Sequence, residues 1–475
     1  MSSQPRAVVV GGGTNGLTAA ARLAVEGWQV TVFEQADHFG GSAASLTDPF
    51  GPGTVVDFGA AAHPFGIASP AFRQLRLEEH GLEWLHADYS MAHPLPQADA
   101  ALLHRSLDDT ARGLGEDAKM WRRLHRNAVE HIDEHLENLL APMLRWPAHP
   151  VRMAQFGVPA LLPASRLSRV LFSTEQARAL FCGSAVHSMT SPAQPFTSAF
   201  GVLFGALGMS RGWPVARGGS GAIVDALLSV LVAHGATLVT GHTVSSFREL
   251  PEADSYILNL TPKGILGITD VPLDRSVRRS LVRWRYGSAA HKVDWHLSGP
   301  VPWTDEEVSR ASTVHVCGGV AELEFAEREV AKGRFPDKPF VMVGQQNAAD
   351  PGRGPVLWTY AHVPHGFVEE RPGQVREAIL SQIERFAPGF RDLVVDHREY
   401  SPADLEAANP SIIGGDIAGG SMTGLQALFR PRVSLKPHRL GPGVFTASGA
   451  TPPGAGVHGM PGWWAAQGAL DELRG

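Results

Sequence analysis

The sequence predicts an α/β fold whose first unit is a strand, a helix and a second, parallel strand. Three observations support this prediction: a short β-branched run at Arg6–Val10, a glycine-rich turn directly after it, and a second apolar run at Gln29–Phe33. Short apolar runs of this kind are typical of strands that are buried on both faces of a parallel sheet. We therefore expect a strand–helix–strand unit at the start of the chain.

The turn between the two runs has the spacing of a dinucleotide-binding loop, Gly11-Gly12-Gly13-Thr14-Asn15-Gly16. Gly11 permits a tight turn, Gly13 has no Cβ to block a pyrophosphate, and Gly16 allows close packing of helix on sheet. A helix expected from Asn15 to Gly27 would present free N–H groups and its positive dipole end to phosphates. Glu34 stands 18 residues after Gly16, where an acid accepts hydrogen bonds from the adenosine ribose. The pattern predicts a site for the ADP half that FAD and NAD share.

Composition excludes several other classes of protein. The 475 residues are 44% hydrophobic and 19% charged, with a net charge of −6 and no basic block, which argues against nucleic-acid binding. The two cysteines, Cys182 and Cys317, are far apart, so we expect neither a redox dithiol nor a cysteine-based metal site. Neither a signal peptide nor a run of ~18 apolar residues stands out, and a cytoplasmic protein is expected.

Two further regions extend the pattern. The glycine pair Gly40-Gly41 follows the acid, and residues 57–63 are mostly small, which allows backbone to approach a flat ring. Near the C-terminus, Val444–Ala450 has the pattern of a strand, and residues 451–462 form a loop rich in glycine and proline before a helix-forming segment. A strand, a glycine-rich loop and a helix therefore recur at the far end of the chain.

These segments resemble those of the phytoene desaturase and carotenoid isomerase branch of FAD-dependent oxidoreductases, and most of all the subgroup described as pyridine nucleotide-disulphide oxidoreductase domain-containing protein 2. The most specific match is the run Pro453-Gly-Ala-Gly-Val-His-Gly-Met-Pro-Gly462. The resemblance covers nearly the whole chain, and its other segments are Arg217–Leu227, Leu258–Pro262, Asp350–Arg353 and Asn409–Ile417. The dithiol that the subgroup's name suggests is absent from this sequence.

Together with this resemblance, the patterns predict a Rossmann-like FAD-binding domain of the amine oxidase and phytoene desaturase type, interleaved with an α+β substrate domain and a helical insertion. We expect FAD-domain segments at 1–90, 210–285 and 408–475, a helical part at 91–209 and an antiparallel sheet at 286–407. The elements predicted within the last two parts are a helix at Glu116–Arg145, strands at Lys292–Leu297 and Val356–His362, and a helix at Gln374–Arg385.

The resemblance implies noncovalent FAD and no metal. Thr243 and Val244 would lie beside the adenine, and Gly449 with Ala450 would meet the pyrophosphate and the ribityl chain. Gly456, Val457 and the next helix start would face the pyrimidine edge of the flavin, where a helix N-terminus stabilises the anionic reduced ring. The residues expected to contact the cofactor are Gly11, Gly13, Thr14, Asn15, Gly16, Glu34, Gln35, Gly40, Gly41, Ser42, Ala60, Ala61, Thr243, Val244, Thr261, Pro262, Gly449, Ala450, Gly456 and Val457.

His63 and His458 are the polar groups expected nearest the flavin and are the candidate catalytic residues. Each acts as an acid or base beside the ring, or is buried and holds a loop through hydrogen bonds. The second glycine-rich segment, Arg217–Gly221, follows Trp213-Pro214 rather than a buried strand, so we expect no NAD domain. The electron acceptor is then dioxygen, a quinone or another protein.

The apolar stretch Val151–Leu162, taken with the resemblance, indicates a small apolar substrate such as a polyene or a natural-product intermediate. The leading hypothesis is dehydrogenation (desaturation) or isomerisation of a carbon–carbon bond, with hydride transfer to flavin N5. The alternatives are an oxidase for an amine or an alcohol in a biosynthetic pathway, and an FAD-binding protein that acts mainly through protein partners. Peripheral contact with a membrane is a further expectation.

Overall fold

The computed structural model describes residues 4–474, in which two large sheets carry helices packed between and around them. The strands are β1 (Arg6–Val10), β2 (Gln29–Phe33), β3 (Ser45–Thr47), β4 (Val55–Asp57), β5 (Trp84–Leu85), β6 (Tyr89–Leu95), β7 (Ala98–His104), β8 (Val215–Ala216), β9 (Thr237–Val239), β10 (Ser255–Leu258), β11 (Ala289–Leu297), β12 (Thr313–Val316), β13 (Val341–Gly344), β14 (Val356–Val363), β15 (Val394–Tyr400), β16 (Arg439–Gly441) and β17 (Val444–Thr446).

The helices are mostly short, and within residues 4–474 none combines the length and the apolar composition that a membrane span requires. They are α1 (Thr14–Val25), α2 (Pro64–Ile67), α3 (Pro70–Gln74), α4 (Leu107–Gly113), α5 (Ala118–Glu130), α6 (Ile132–Leu139), α7 (Pro150–Ala160), α8 (Ala164–Leu171), α9 (Glu175–Val186), α10 (Thr197–Ser210), α11 (Gly221–Ala233), α12 (Pro262–Gly267), α13 (Arg275–Val282), α14 (Val320–Ala331), α15 (Gln374–Glu384), α16 (Phe390–Leu393), α17 (Pro402–Ala408), α18 (Gly424–Leu428) and α19 (Met460–Arg474).

The first sheet has six strands in the order β16-β17-β10-β1-β2-β9. β1 pairs in parallel with β2 and β10, the outer neighbours β9 and β17 continue the parallel sheet, and β16 runs antiparallel at one edge. Its strands come from three segments that are far apart in the chain, residues 6–33, 237–258 and 439–446. The predicted α/β fold with a Rossmann-like domain is confirmed by this parallel sheet.

The N-terminal unit matches the prediction in its strands and differs slightly in its helix. β1 and β2 have the predicted bounds, whereas α1 runs from Thr14 to Val25. The helix ends before Gly27 because that residue has a φ of +86°, in the left-handed region that terminates helices. On its outer side α1 is covered by α19, so closely that a Cβ on Gly462 would lie 1.8 Å from the Asn15 carbonyl oxygen.

The second sheet has seven strands in the order β15-β11-β14-β13-β12-β6-β7 and is mainly antiparallel. Five of these strands come from the range 286–407, where the sequence predicts the sheet. The other two, β6 and β7, form a hairpin at 89–104. Most of this hairpin lies in the part that was predicted to be helical, 91–209. This hairpin turns at Pro96-Gln97, and without Gly or Asn the turn has no strong sequence signal.

Element boundaries differ in a few further places. The helix predicted at Glu116–Arg145 is divided into α5 and α6 at His131, which has φ −123° and ψ 34°, and it ends at Leu139. β11 and β14 include the two predicted strands and extend beyond them, and α15 ends one residue before Arg385. These differences leave the arrangement of the two sheets as expected.

Candidate cofactor and substrate site

One cavity of about 1140 Å³ connects the carboxyl ends of the parallel strands with the helices above the second sheet. At one end it is lined by the residues that follow β1 and β2, and at the other end by side chains of α7, α10 and the second sheet. Ligands of doubly wound sheets bind outside the carboxyl ends of the strands. The cavity therefore joins the expected dinucleotide site to a second chamber.

Each glycine of the N-terminal turn is required for a different structural reason. Gly11 has a φ of +96°, and a Cβ on it would lie 2.6 Å from the Asn259 carbonyl oxygen. A Cβ on Gly16 would lie 2.1 Å from the carbonyl oxygen of Gly11. A Cβ on Gly13 would meet only the Asn259 side chain, at 3.2 Å, and Gly13 lines the cavity. Gly11 and Gly16 are thus required by the turn itself, whereas Gly13 keeps the cavity open.

The N-terminus of α1 offers unpaired donors to this cavity. The helix has no side-chain cap and no acidic residue in its first turn. Among the hydrogen bonds of residues 4–474, none has the backbone N–H of Thr14, Asn15 or Gly16 as donor. Unpaired N–H groups at a helix start, with the positive end of the dipole, are a binding site for an anion such as pyrophosphate.

Glu34 is fixed at the end of β2. Its carboxylate accepts hydrogen bonds from the N–H groups of Gly12 (2.7 Å) and Ala36 (2.9 Å), and the side chain lines the cavity. The His242 N–H donates to the Glu34 carbonyl oxygen at 2.9 Å, which brings Thr243 and Val244 to the same end. Each carboxylate oxygen has a second lone pair, so Glu34 can still accept a hydrogen bond from a ribose hydroxyl.

The residues predicted to contact the cofactor come together around this cavity, with two exceptions, Gly16 and Pro262. Gly16 faces the turn, and Pro262 is buried at the start of α12, where the Thr261 hydroxyl caps the helix by accepting the Gly264 N–H at 3.1 Å. The predicted residues that line the cavity are Gly11, Gly13, Thr14, Asn15, Glu34, Gln35, Gly40, Gly41, Ser42, Ala60, Ala61, Thr243, Val244, Thr261, Gly449, Ala450, Gly456 and Val457.

Arg430 holds the C-terminal side of the site, and no sequence pattern indicated it. Its guanidinium is buried and donates to the carbonyl oxygens of Gly449 (2.8 Å), Gly420 (2.9 Å) and Ala418 (3.2 Å). Burial lowers the pKa of Arg430 to about 10, so the group stays cationic at neutral pH. A positive charge therefore supports the loop that was predicted to meet the pyrophosphate.

His458 is a structural residue of the same loop. Its Nδ1 accepts the Met460 N–H at 3.1 Å, and burial lowers the pKa of the ring to about 4. The first N–H of α19 is thereby paired inside the protein, and Met460 does not line the cavity. Loop residues 453–458 line the cavity ahead of this helix, and the prediction that the helix start faces the flavin stays a prediction.

His63 is also buried and neutral. Its Nε2 lies 2.8 Å from the Ser220 hydroxyl, which itself donates to the Ala60 carbonyl oxygen, so Nε2 carries the proton. Burial lowers the pKa of His63 to about 4. Both candidate catalytic histidines line the cavity, yet each is bonded to a neighbouring loop. The geometry favours the interpretation that they hold these loops.

The loop Arg217–Gly221 does not provide a second nucleotide site. Its N–H groups are already bonded to side chains of the protein, Gly218 to Asp350 (2.8 Å), Ser220 to Asp57 (2.6 Å) and Gly221 to Ser45 (2.9 Å). Arg353 is buried between the two carboxylates and donates to Asp57 at 2.5 Å. This cluster attaches the loop to β4 and to the segment before β14. Its N–H groups are therefore not free to bind a phosphate.

Lys292 on β11 lines the cavity and forms a buried ion pair with Asp294 on the same strand. Both side chains are on one face of the strand, since they are two residues apart. Burial raises the pKa of Asp294 to about 6 and lowers the pKa of Lys292, while the pairing opposes both shifts. The Lys292 ammonium lies 5.0 Å from the centre of the Tyr400 ring. Two charged residues alternating within an apolar strand are the signal that could have indicated this pair.

The second chamber is apolar. Its walls include aromatic and aliphatic side chains, among them Phe156, Phe196, Phe200, Leu203, Phe204 and Met342. The acidic residues in the described cavity lining are Glu34 and Asp416. Both oxygens of Asp416 accept backbone N–H groups, from Gly287 and Ala418 at 2.7 Å. Polar side chains interrupt the apolar wall, among them Ser188, Thr190, Tyr360 and His187, whose Nε2 lies 3.0 Å from Nε2 of the buried His315.

One group of side chains in residues 4–474 has metal-ligating geometry, His291, Glu369 and Glu399. Arg376 already donates to Glu399 at 3.0 Å, and the Glu369 carboxylate accepts the N–H groups of Gly373 and Val375. The Arg376 guanidinium therefore already supplies a positive charge at this group. None of the three residues lines the cavity.

Comparison with known proteins agrees with this architecture. Residues 9–76 match the family model of the NAD(P)-binding Rossmann-like domain. The chain is 26% identical to pyridine nucleotide-disulfide oxidoreductase domain-containing protein 2 of Rattus norvegicus, over 98% of this chain and 94% of that protein. It is also 26% identical to hydroxyneurosporene desaturase of Cereibacter sphaeroides, over 99% and 98% of the two chains. The resemblance to this subgroup and to desaturases is thus confirmed.

The same fold occurs in solved structures at lower identity. Putrescine oxidase with bound putrescine superposes on this chain with a TM-score of 0.62 at 17% identity. The aligned region covers 99% of each of the two chains. At this identity the likeness concerns the fold alone. The two-sheet fold of the chain is therefore similar to the fold of putrescine oxidase.

Proposed function

We propose that the chain binds FAD noncovalently and dehydrogenates or isomerises a carbon–carbon bond in an apolar substrate. Its similarity to hydroxyneurosporene desaturase over 99% of the chain supports this proposal. The observation that carries the proposal is the single cavity in which a dinucleotide cleft opens into an apolar chamber. Its volume of about 1140 Å³ exceeds the roughly 300–1,000 Å³ of an ordinary ligand pocket. This leaves room for a dinucleotide and a substrate together.

The residues of the cleft fit FAD. The unpaired N–H groups at the start of α1 suit the pyrophosphate, Glu34 suits the ribose, and the loop carried by Arg430 lies across the cavity from them. The side-chain oxygen Oδ1 of Asn15 is buried without a partner in the described part of the chain, which leaves an acceptor for the cofactor. When bound, FAD would supply the hydride acceptor for the reaction.

The remaining residues position an apolar substrate and exclude water. The aromatic side chains of α10 and the inner face of α7 offer no hydrogen bonds, so burial of apolar surface is the main source of affinity. Lys292 keeps a positive charge in the wall, and we assign it the stabilisation of negative charge that develops at the cofactor. The N–H groups of Arg217–Gly221 are occupied, so the electron acceptor is dioxygen, a quinone or a protein rather than a bound NAD.

Oxidation of an alcohol is the second candidate, and His187 favours it, because it lines the cavity and can hydrogen-bond a hydroxyl group there. Oxidation of an amine is less well supported, because neither carboxylate in the described lining is placed to pair with a substrate ammonium in the apolar chamber. A protein acting only through partners would not need an apolar chamber beside its cofactor cleft.

Anaerobic flavin reduction tests the proposal. The purified holoprotein is mixed with polyenes, isoprenoids and long-chain lipids in one arm, and with amines and small alcohols in another. We expect the oxidised-flavin absorbance to fall with an apolar donor, or the double-bond geometry of the donor to change without net reduction. Reduction by amines or small alcohols alone, with release of peroxide in air, would overturn the proposal, as would a flavin that stays oxidised with every donor.

A variant that narrows the chamber provides the control. A Cβ on Gly157 meets no atom within 4 Å, and Gly157 lines the cavity, so the side chain of Gly157→Leu starts in open space and reduces the volume of the chamber. We expect reduction by the apolar donor to slow by about tenfold or more, because the donor loses its position near the cofactor. Gly113→Leu, also without close neighbours but away from the cavity, should leave the rate unchanged.

A further inference from the structure

Dehydrogenation of a carbon–carbon bond releases a proton as well as a hydride. One hydrogen leaves for the flavin with its bonding electron pair, and the other leaves as H⁺ while its electron pair forms the double bond. A positioned base speeds such a proton transfer. Lys292 is charged in its ion pair, and both oxygens of Asp416 accept N–H groups. His63 and His458 are bonded to loops, and the tyrosines of the lining stay protonated because burial raises their pKa. His187 also lines the chamber and is left as a candidate base.

His187 is the C-cap residue of α9, where the negative end of the helix dipole favours a positive charge on the ring. The ring packs against Phe204 and Trp213, whose ring centroids are 5.0 and 5.1 Å away. Its Nε2 lies 3.0 Å from Nε2 of the buried His315. Its Nδ1 makes no hydrogen bond with residues 4–474 and, unlike Nδ1 of His315, is not fully buried. Nδ1 of His187 is therefore the ring nitrogen that is open to the chamber.

A third histidine, His93, lies behind this pair. Its Nε2 is 2.6 Å from the Gly318 carbonyl oxygen, which can only accept, so Nε2 carries the proton and Nδ1 carries a lone pair. Nδ1 of His93 and Nδ1 of His315 both point to the same place, 2.9 and 2.4 Å from the position that a Cβ on Gly183 would occupy. Both atoms are buried, and neither has a hydrogen-bond partner in the described part of the chain.

The tautomers then follow from ring to ring. Burial lowers the pKa of His93 to about 4, of His187 to about 3 and of His315 well below its ordinary value, so the three rings are neutral and each carries one proton. Two lone pairs directed into one buried space repel each other, whereas an N–H of His315 is attracted by the lone pair of His93. With its proton on Nδ1, His315 has a lone pair on Nε2 and accepts the Nε2–H of His187. Nδ1 of His187 therefore presents a lone pair to the chamber.

We infer that His187 is a catalytic base whose Nδ1 accepts the proton that the substrate loses, and that His315 and His93 are positioning residues that set its tautomer. The C–H bond that breaks becomes strongly acidic as the hydride leaves the neighbouring carbon, so a weakly basic ring suffices. The choice of a carbon–carbon bond rests on the proposed function, whereas the tautomers do not depend on it.

The three rings also lead positive charge away from the apolar chamber. Because its pKa is so low, His187 does not retain the proton, and it can pass its Nε2 proton to His315. His315 can in turn pass its Nδ1 proton towards His93, where the negative charge of Glu322 favours the protonated ring. The Glu322 side chain is 25% exposed. The proton thus moves from the chamber wall towards a carboxylate that reaches solvent.

NMR of the holoprotein with ¹⁵N-labelled histidine tests the tautomers without a substrate, because protonated and unprotonated ring nitrogens differ strongly in chemical shift. We expect protonated Nε2 and unprotonated Nδ1 in His187 and His93, and the reverse in His315. Each set of signals is assigned by its loss when that histidine is replaced by glutamine. A proton on Nδ1 of His187 would refute the inference, whatever the substrate is.

Anaerobic stopped-flow reduction tests the base, with the polyenes, isoprenoids and long-chain lipids that reduce the wild-type flavin as probes. We expect His187→Ala to lower the limiting rate of reduction by about a hundredfold, with little change in the apparent Kd of the donor. Added imidazole should restore part of the rate, because it can enter the vacated space and accept the proton. His104→Ala is the matched control, since that half-buried ring packs against Tyr89 at 4.9 Å away from the cavity, and it should keep the wild-type rate. An unchanged rate in His187→Ala, or a loss that imidazole does not reverse, would contradict the inference.

Two variants of His315 test its positioning role. The amide oxygen of His315→Gln can accept the Nε2–H of His187 and preserve its tautomer, whereas His315→Leu cannot. We expect the leucine variant to lose about tenfold in the limiting rate and the glutamine variant less, with the His187 signals in NMR shifted only by leucine. Equal rates in the two variants would show that His315 does not set the tautomer.

The possible failures are distinguishable. Equal flavin content and thermal unfolding midpoints show that the variants fold. Reduction by alcohols alone, with the same rescue by imidazole, would overturn the carbon–carbon assignment and support His187 as the base. A flavin that stays oxidised with every donor would overturn the proposed function and the proton transfer together, even with the expected tautomers. Rapid reduction of His187→Ala by an apolar donor would overturn the base alone.

Discussion

At the scale of single residues, the glycines of the N-terminal turn differ in what a side chain at each position would disturb. Gly11 and Gly16 are fixed by atoms of the turn, so a side chain there disturbs the protein itself. Gly13 is different, because a side chain there would extend from the start of α1 into the cavity. It is the position at which cofactor binding can be separated from folding.

We predict that Gly13→Asp abolishes FAD binding, because its carboxylate would occupy the anion site that the free N–H groups of α1 form. The ratio of flavin to protein absorbance in the purified variant measures the effect, and thermal unfolding of the apoprotein checks the fold. Gly113→Asp, at an exposed position with no close neighbours, is the control and should keep a full complement of flavin. A normal flavin spectrum in Gly13→Asp would contradict the assignment of this turn.

At the scale of elements, the loop Arg217–Gly221 links the two sheets through buried charges. Its N–H groups meet Asp57 at the end of β4 and Asp350 before β14, and Arg353 lies between these carboxylates. The Arg353 guanidinium also donates to the Ala216 carbonyl oxygen on β8. Segments from three parts of the chain therefore meet at one buried arginine.

We predict that Arg353→Met lowers the free energy of unfolding by about 3–5 kcal/mol, because Asp57 would be left as an uncompensated buried charge. Arg217→Met removes an arginine from the same loop, but its partner Glu83 is half exposed, and the expected loss is below about 1 kcal/mol. Denaturant titrations of both variants measure the difference. Equal losses in the two variants would show that burial of the Arg353 cluster does not matter to stability.

The sequence indicated the parts of the fold that depend on local pattern. The turn at 11–16 and its strands are encoded within 30 or so neighbouring residues, and they were predicted closely. Arg430 was missed because its importance comes from backbone carbonyl groups that only the tertiary structure brings near. Lys292 was missed because the burial of its pair with Asp294, rather than the closeness of the two residues, depends on the tertiary structure. The β6–β7 hairpin was missed for a local reason, since its Pro-Gln turn lacks the residues that mark tight turns.

At the scale of the whole molecule, the protein buries an unusual set of neutral histidines. Burial lowers the pKa of five of them to about 4, namely His63, His93, His125, His438 and His458. In the unfolded chain these rings regain a pKa near 6.5. The unfolded state therefore binds more protons between these values, and acid favours unfolding.

We predict that the free energy of unfolding falls as the pH is lowered from about 6.5 to about 4, by on the order of 3 kcal/mol for each of these histidines. The raised pKa of Asp294 and of Asp416 acts in the opposite direction, but burial also lowers the pKa of His86, His187 and His315, so the histidines outnumber these two acids. Denaturant midpoints measured across this range test the prediction. His93→Gln should reduce the slope, and stability that is flat between these pH values would contradict it.

The order of strands in the first sheet has a consequence for biosynthesis. β1 pairs with β10, and β10 pairs with β17, so the sheet that frames the cleft is complete only after residues 444–446 have been translated. α19, which covers α1, follows β17 in the chain. Strand pairs that are so distant in sequence form late. The cleft of a nascent chain is therefore unfinished until β17 has been translated, and we expect a dinucleotide cofactor to bind only after that point.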